Sequence, residues 1–283
     1  MAGETRLGVP GDPDGVRRFV AIGDSFTEGV GDPHRHLPNG VRGWADRVAE
    51  RLAKNEPGWE YANLAVRSKR LREIVADQVD LAIELRPTLV TVYAGGNDIL
   101  DVGTDIGALL DQYEAMVVRL VRSGATVLLF TGYEVQVHPI LAPFKRRNRV
   151  YNEGVRRIAR EHGAVLVDYQ RFEAFADRRM WAEDRLHMSK AGHRYLASRV
   201  LEILDVPHRV RPAPAEPRVR RTLREREREH RRWILDWVLP LVQRKLRGVT
   251  LGDDLSPRWP EPVRVPVKGG LRRLAKERRL GSG

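Results

Sequence analysis

The chain contains no cysteine, which excludes disulfide bridges and thiolate metal centres. It also has no run approaching the roughly 18 apolar residues of a membrane span, and residues 1–15 include no apolar leader core, so the cytoplasm is the expected location. No internal repeat is present. Acidic residues are sparse in one region only: residues 1–204 carry 29 Lys and Arg against 28 Asp and Glu, whereas 205–283 carry 21 against 10, which puts +11 of the net +12 in the tail. With 283 residues, 42% of them hydrophobic, the chain is long enough for one α/β domain of ordinary size plus an appendage.

Five short, apolar, β-branched-rich segments read as buried parallel strands: Arg18–Ile22, Glu60–Leu64, Leu89–Tyr93, Thr126–Thr131 and Ala164–Asp168. Between them the apolar spacing is helical, as with Trp44, Val48 and Leu52, or Val155, Ile158 and Ala159 before His162-Gly163. Strand alternating with helix predicts right-handed crossovers and a doubly wound sheet, with ligands bound beyond the carboxyl ends of the strands. Gly132–Asn148, which carries His138-Pro139 and Pro143, reads as a long functional loop over that site. The expected organisation is a flexible N-terminus (1–15), a catalytic domain (16–206), a Pro-rich linker (207–217) and a basic helical C-terminal extension (218–283).

Chemistry-bearing residues fall where such a sheet places ligands. The first strand stops abruptly at Gly23-Asp24-Ser25, the way a nucleophile is mounted at a strand end. A serine hydroxyl needs a base and an anion-stabilising group. Asp184 and His187 supply an acid and an imidazole three residues apart, and Gly95-Gly96-Asn97-Asp98 supplies a side-chain amide after another apolar run. Ser189 is placed to cap the last helix.

Taken in order, Gly-Asp-Ser at 23–25, the segment Asn63–Ser68, Gly-Gly-Asn-Asp at 95–98 and Asp184-x-x-His187 resemble the SGNH (GDSL-type) hydrolases over roughly residues 16–204, and Trp181–His193 is similar to the last block of actinobacterial members. The resemblance implies a three-layer α/β/α sandwich around a five-stranded parallel sheet, flavodoxin-like in topology, with the basic extension added. It implies a serine esterase that forms an acyl-serine intermediate through Ser25, His187 and Asp184. The oxyanion donors would be the Ser25 N–H, the Asn97 amide and the N–H of residue 68, where the family usually has glycine and this chain has Ser68. Asp24 and His138 are candidates for substrate contact, although a carboxylate beside a turn also suits Asp24, as it does Asp98. His193 reads as a packed helix histidine, and Trp44 and Trp181 as core or as walls of an acyl pocket. No cofactor or metal is called for, and the partner is a small-molecule ester.

Two other readings stay open. Gly23-Asp24 with Gly95–Asp98 faintly imitates the blocks of dinuclear metallophosphoesterases, but the His-rich remainder of that ligand set is missing. Alternatively the chain is a catalytically weak protein of the same fold whose tail does the work. That tail holds a charged helix at Arg218–Arg232, continued by Trp233, Ile234, Trp237, Val238, Leu241 and Val242 up to and beyond Pro240. It suits packing on the domain, an anionic membrane surface, or an acidic polymer such as nucleic acid. Truncation after Val206 is expected to leave a soluble domain that still hydrolyses small esters. Nothing in the sequence sets an oligomeric state.

Overall fold

The computed structural model describes residues 15–133, 142–210, 222–240, 243, 247 and 250–281. The N-terminal segment before Gly15, His138 and linker residues 211–217 lie outside the described residues.

Six strands form one sheet in the order β5-β4-β3-β1-β2-β6. Five of them are the expected ones: β1 (Arg18–Gly23), β2 (Glu60–Asn63), β3 (Leu89–Tyr93), β4 (Thr126–Phe130) and β5 (Val165–Val167), paired in parallel throughout. Their side chains alternate between two cores. Phe19, Ala21, Leu128 and Phe130 face one layer, with α2 (Trp44–Asn55) and α8 (Lys190–Ile203). Val20, Ile22, Val127 and Leu129 face the other, with α6 (Ile106–Arg122) and α7 (Ala142–Glu161). Both faces of the sheet are therefore covered, as a parallel sheet requires, and the architecture is the expected α/β/α sandwich. Among the described residues no helix is long and apolar enough to cross a membrane.

Two expectations need correction. The sheet is not five-stranded, and the extension is not purely helical: β6 (Trp259–Arg264) runs antiparallel along β2, with Tyr61 opposite Val263 and Asn63 opposite Trp259. The segment Trp-Pro-Glu-Pro-Val-Arg reads poorly as a strand because of its prolines. At a sheet edge the prolines fit, since they fall between the paired residues Trp259 and Val263, where the register with β2 shifts and a missing donor is tolerated; they also leave that open edge poor in N–H groups. The second correction concerns Gly132–Asn148. Helix α7 begins at Ala142, because Pro143 lies in the first turn, where a missing N–H costs nothing. Only 134–141 separates β4 and Tyr133 from that helix, and these residues lie outside the described ones.

The end of the chain is built into the first layer. Trp259 and Leu271 are fully buried in the same cluster as Trp44 and Tyr61, with Val263, Val265 and Ala275 beside them. Arg278 lies over the Trp259 ring, 5.1 Å from its centroid, and the last helix, α10 (Gly270–Gly281), takes the Glu50 carboxylate at its start through the Leu271 N–H. Arg258 is buried with Asp46 in a 2.8 Å ion pair. It also donates to the carbonyl oxygens of Glu28, Pro38 and Val41 at 2.9, 3.1 and 2.7 Å. The tail residues that complete the core are thus Trp259, Val263, Val265 and Leu271.

Breaking one side of a buried, hydrogen-bonded ion pair leaves an uncompensated charge, at a cost of about 3–5 kcal/mol. Arg258→Met should lower the free energy of urea unfolding by an amount of that order, and a chain ending at Val206 should be insoluble or unfolded. A loss below about 1 kcal/mol for Arg258→Met would show that water reaches and solvates Asp46.

Candidate active site

Ser25 opens a one-turn helix, α1 (Ser25–Glu28), immediately after β1. The turn requires Gly23, whose φ is +142° and where any Cβ would collide with the Tyr93 carbonyl oxygen. Asp24 caps the helix by accepting the Phe26 N–H at 3.1 Å. The Ser25 hydroxyl lies 3.0 Å from His187 Nε2, and His187 Nδ1 lies 2.6 Å from Asp184 Oδ2. The other carboxylate oxygen of Asp184 accepts the backbone N–H groups of Leu186 and His187 at 2.9 and 3.0 Å. One short turn therefore fixes acid and imidazole together. Burial pushes the Asp184 carboxyl up, but the hydrogen bond and charge of His187 and the two backbone N–H groups outweigh it and hold the group below its ordinary range.

The turn is seated from two sides. Trp181 and Met188 pair across it as an antiparallel bridge, and Ala182 N–H donates to the His187 carbonyl at 2.8 Å. Gly31, after α1, packs so tightly on this loop that a Cβ there would strike the Met188 carbonyl oxygen and sit 3.2 Å from His187 Cβ. The Phe26 ring lies 5.8 Å from the imidazole. Ser189 caps α8 by accepting the Gly192 N–H. His193, inside α8, is fully buried and bonds the Val30 carbonyl oxygen at 3.0 Å through Nε2; burial lowers its pKa to about 3, so it is neutral and Nε2 carries the proton. Trp44 and Trp181 belong to the core, the latter donating to the Phe175 carbonyl at 2.8 Å.

Asn97 stands in α5 (Gly96–Ile99), at the carboxyl end of β3. Its amide nitrogen donates to the Lys69 carbonyl at 3.0 Å and lies 3.3 Å from Asp24 Oδ2. Those two contacts bring the Ser25 turn, the loop carrying Ser68 and the β3 turn together. Ser68 has φ +69°, the left-handed region that a side chain disfavours. Asp98 accepts the Leu71 N–H at 2.9 Å, holding the helix that begins there. Asp24 is wholly inside this cluster, so its two oxygens serve Phe26 and Asn97.

Sequence reasoning passed over the residues that hold the Ser68 loop. Glu28, fully buried at the end of α1, receives the Arg67 backbone N–H at 2.8 Å, its Nε at 2.9 Å and its Nη2 at 2.7 Å. Asn63 donates to the Thr27 carbonyl at 3.1 Å and to the Tyr61 hydroxyl at 2.9 Å, while Tyr61 donates to Asp46 at 3.1 Å. The sequence carried one signal for them, Asn63 at the head of the Asn63–Ser68 block; Glu28 and Tyr61 carried none. Among the described residues, the one group of three His, Asp or Glu side chains spaced to share an ion is Glu114, Glu161 and His162; none of these belongs to the strand-end cluster.

The chain matches the sequence pattern of the GDSL-like lipase/acylhydrolase family over residues 21–195. No curated protein sequence matches it. Among solved structures, TesA is 23% identical with a TM-score of 0.56, over 66% of this chain and 98% of its own. The acetyl xylan esterase AlAXEase is 19% identical with a TM-score of 0.55, over 65% and 98%. Axe2, an acetylxylan esterase from Geobacillus stearothermophilus, is 23% identical with a TM-score of 0.53, over 70% and 96%. At these identities the likeness shows a shared fold.

Burial raises the Asp24 carboxyl from 3.8 to about 7, against the lowering influence of the Phe26 N–H and His187. Between those values the folded protein holds a proton that the unfolded chain has released, so stability falls as pH rises from about 4 to 7. Asp24→Asn cannot ionise and should gain on wild type in urea unfolding over that window. A stability difference that does not change with pH would show that Asp24 stays charged.

Proposed function

The chain belongs to the GDSL-like lipase/acylhydrolase family, and we propose that it hydrolyses a carboxylic ester through an acyl-serine intermediate on Ser25, with His187 as base and acid and Asp184 as its partner. The observation that carries this reading is the unbroken sequence of contacts, 3.0 Å from Ser25 Oγ to His187 Nε2 and 2.6 Å from His187 Nδ1 to Asp184 Oδ2. Both lie within hydrogen-bond reach of the proton to be moved.

With Nδ1–H committed to Asp184, His187 Nε2 is left as acceptor. It takes the Ser25 proton as Oγ bonds to the ester carbonyl carbon, and Asp184 stabilises the imidazolium that results. The negative charge then on the former carbonyl oxygen is met by the Ser25 and Ser68 backbone N–H groups and the Asn97 amide, the donors that the family pattern assigns to these positions. Of the two Asn97 contacts, the one to Asp24 is longer and is the one an oxyanion would replace; a protonated Asp24 weakens that competition. The tetrahedral intermediate expels the alcohol, which leaves with the His187 proton. Water, deprotonated by His187, attacks the acyl carbon in turn, and the acid departs as Ser25 recovers its proton.

The test is hydrolysis of chromogenic esters of increasing acyl length. Ser25→Ala and His187→Ala should each lower kcat by several orders of magnitude while leaving the fold intact by circular dichroism. Near wild-type turnover in either variant would sink the reading. Ser68→Gly should raise kcat more than it changes KM, because relief of the left-handed strain lets the N–H align with the oxyanion, where one donor is worth about 2.7–4 kcal/mol. An unchanged or lower kcat would show that the serine backbone is already in place.

A further inference from the structure

The charged helix of the extension, α9 (Leu223–Trp233), continues through a wider turn at Ile234–Val238. At their junction Trp233 donates its indole N–H to the Asp184 carbonyl oxygen at 2.8 Å. The same ring lies under the guanidinium of Arg185, 5.1 Å from its carbon to the ring centroid. Arg185 has φ +58°, so it marks the strained residue of the turn. Trp233 thus takes hold of two successive residues, Asp184 and Arg185, from the outside, while the N–H groups of Leu186 and His187 bond the Asp184 carboxylate from the inside.

We infer that Trp233 is a positioning residue for Asp184, so that the C-terminal extension sets the orientation of the acid that aligns His187. The proposal rests on the Ser25–His187–Asp184 reading. The Asp184 carbonyl and the Arg185 N–H share one peptide plane, and a rotation about the Cα–C bond of Asp184 carries the Leu186 and His187 N–H groups, and the imidazole with them, away from the Asp184 carboxylate. A hydrogen bond to the carbonyl and a cation over the ring oppose that rotation from two directions. Nothing in this arrangement touches the Ser25 hydroxyl, so substrate binding is unaffected.

Trp233→Phe separates the two contacts, because phenylalanine keeps an aromatic face for Arg185 and lacks the N–H. On a small chromogenic ester kcat should fall about fivefold to tenfold, the equivalent of one hydrogen bond, with KM within a factor of about two. The acid limb of the kcat/KM profile should move to lower pH, because a misaligned Asp184 stabilises the imidazolium less. Asp24 and His193, the other titratable groups that face His187, are untouched by the substitution. The urea midpoint should fall by no more than the loss of one hydrogen bond allows, leaving the protein fully folded under assay conditions. A wild-type kcat with an unmoved acid limb overturns the inference, and so does a loss of turnover that only tracks loss of folded protein. If Ser25→Ala keeps its activity, the esterase reading fails instead, and the two failures are told apart by running both variants together.

Discussion

Everything near Ser25 depends on one buried cation. Arg258 arrives from the far end of the chain, is closed off from solvent with Asp46, and spends its remaining donors on carbonyl oxygens of Glu28, Pro38 and Val41. Burying two charges costs several kcal/mol per ion, recovered only when geometry is good and the other donors are satisfied. Here that condition holds, and the acceptors chosen have a consequence. Glu28 ends the helix that Ser25 begins, Pro38 and Val41 flank the short 3-10 turn in the loop after it, and Asp46 lies in the first turn of α2, where it also receives the Gly43 N–H at 2.9 Å. The Ser25 turn is clamped from below by a residue more than two hundred positions away. The strand that follows Arg258 then extends the sheet beside β2, so the clamp is held by backbone pairing as well as by charge.

Charge is also arranged so that a single base faces the serine. His193 lies near the partly buried His187 but is itself fully buried, and burial and the Val30 carbonyl keep it neutral and committed as a donor. Asp24, beside the serine in sequence, is pushed by desolvation toward its protonated form. A permanently charged carboxylate at that point would repel a developing oxyanion and would compete with it for the Asn97 amide. Asp184 has the opposite environment, with three donors on its two oxygens, and remains ionised. The two carboxyl groups flanking Ser25 and His187 are thus shifted in opposite directions by their surroundings.

How much of this was legible in the sequence follows from what each element needs. The five parallel strands are buried on both faces, so their sequences are short continuous apolar runs, and that signal does not depend on partners. Ser25 and Asn97 stand where such runs stop, and Asp184 and His187 stand three residues apart before the last helix, which is why their places could be read. Strand β6 was invisible because an edge strand carrying Pro260 and Pro262 looks like a loop by composition. Arg258 was invisible for a different reason. Among the Lys and Arg of the tail, a buried arginine and a solvated one have the same letter, and only the fold brings Asp46 within 2.8 Å. Tyr61 and Asn63 read as part of the strand Glu60–Leu64 and Glu28 carries no pattern of its own, whereas in the fold their polar atoms link the Ser25 helix, β2 and the Ser68 loop.

The extension meets the site at three places, and they divide the work of holding it. Arg258 fixes the Ser25 helix. Gly252, where a Cβ would collide with the Arg67 carbonyl oxygen, lies flush on the loop leading to Ser68. Trp233 bonds the Asp184 carbonyl. Ser25 is held by its strand end and by Arg258, whereas Asp184 and His187 sit on a turn between a short 3-10 segment and α8, and Ser68 holds a left-handed backbone that a serine does not prefer. In the proposed reaction a proton passes between Ser25 and His187 only while their separation stays near 3.0 Å, and misplacement by about 1 Å can cost a hundredfold in rate. The two halves of that pair belong to different elements with no shared backbone hydrogen bond ladder. A third element in contact with both is the simplest physical means of keeping the gap constant, and the basic tail is that element.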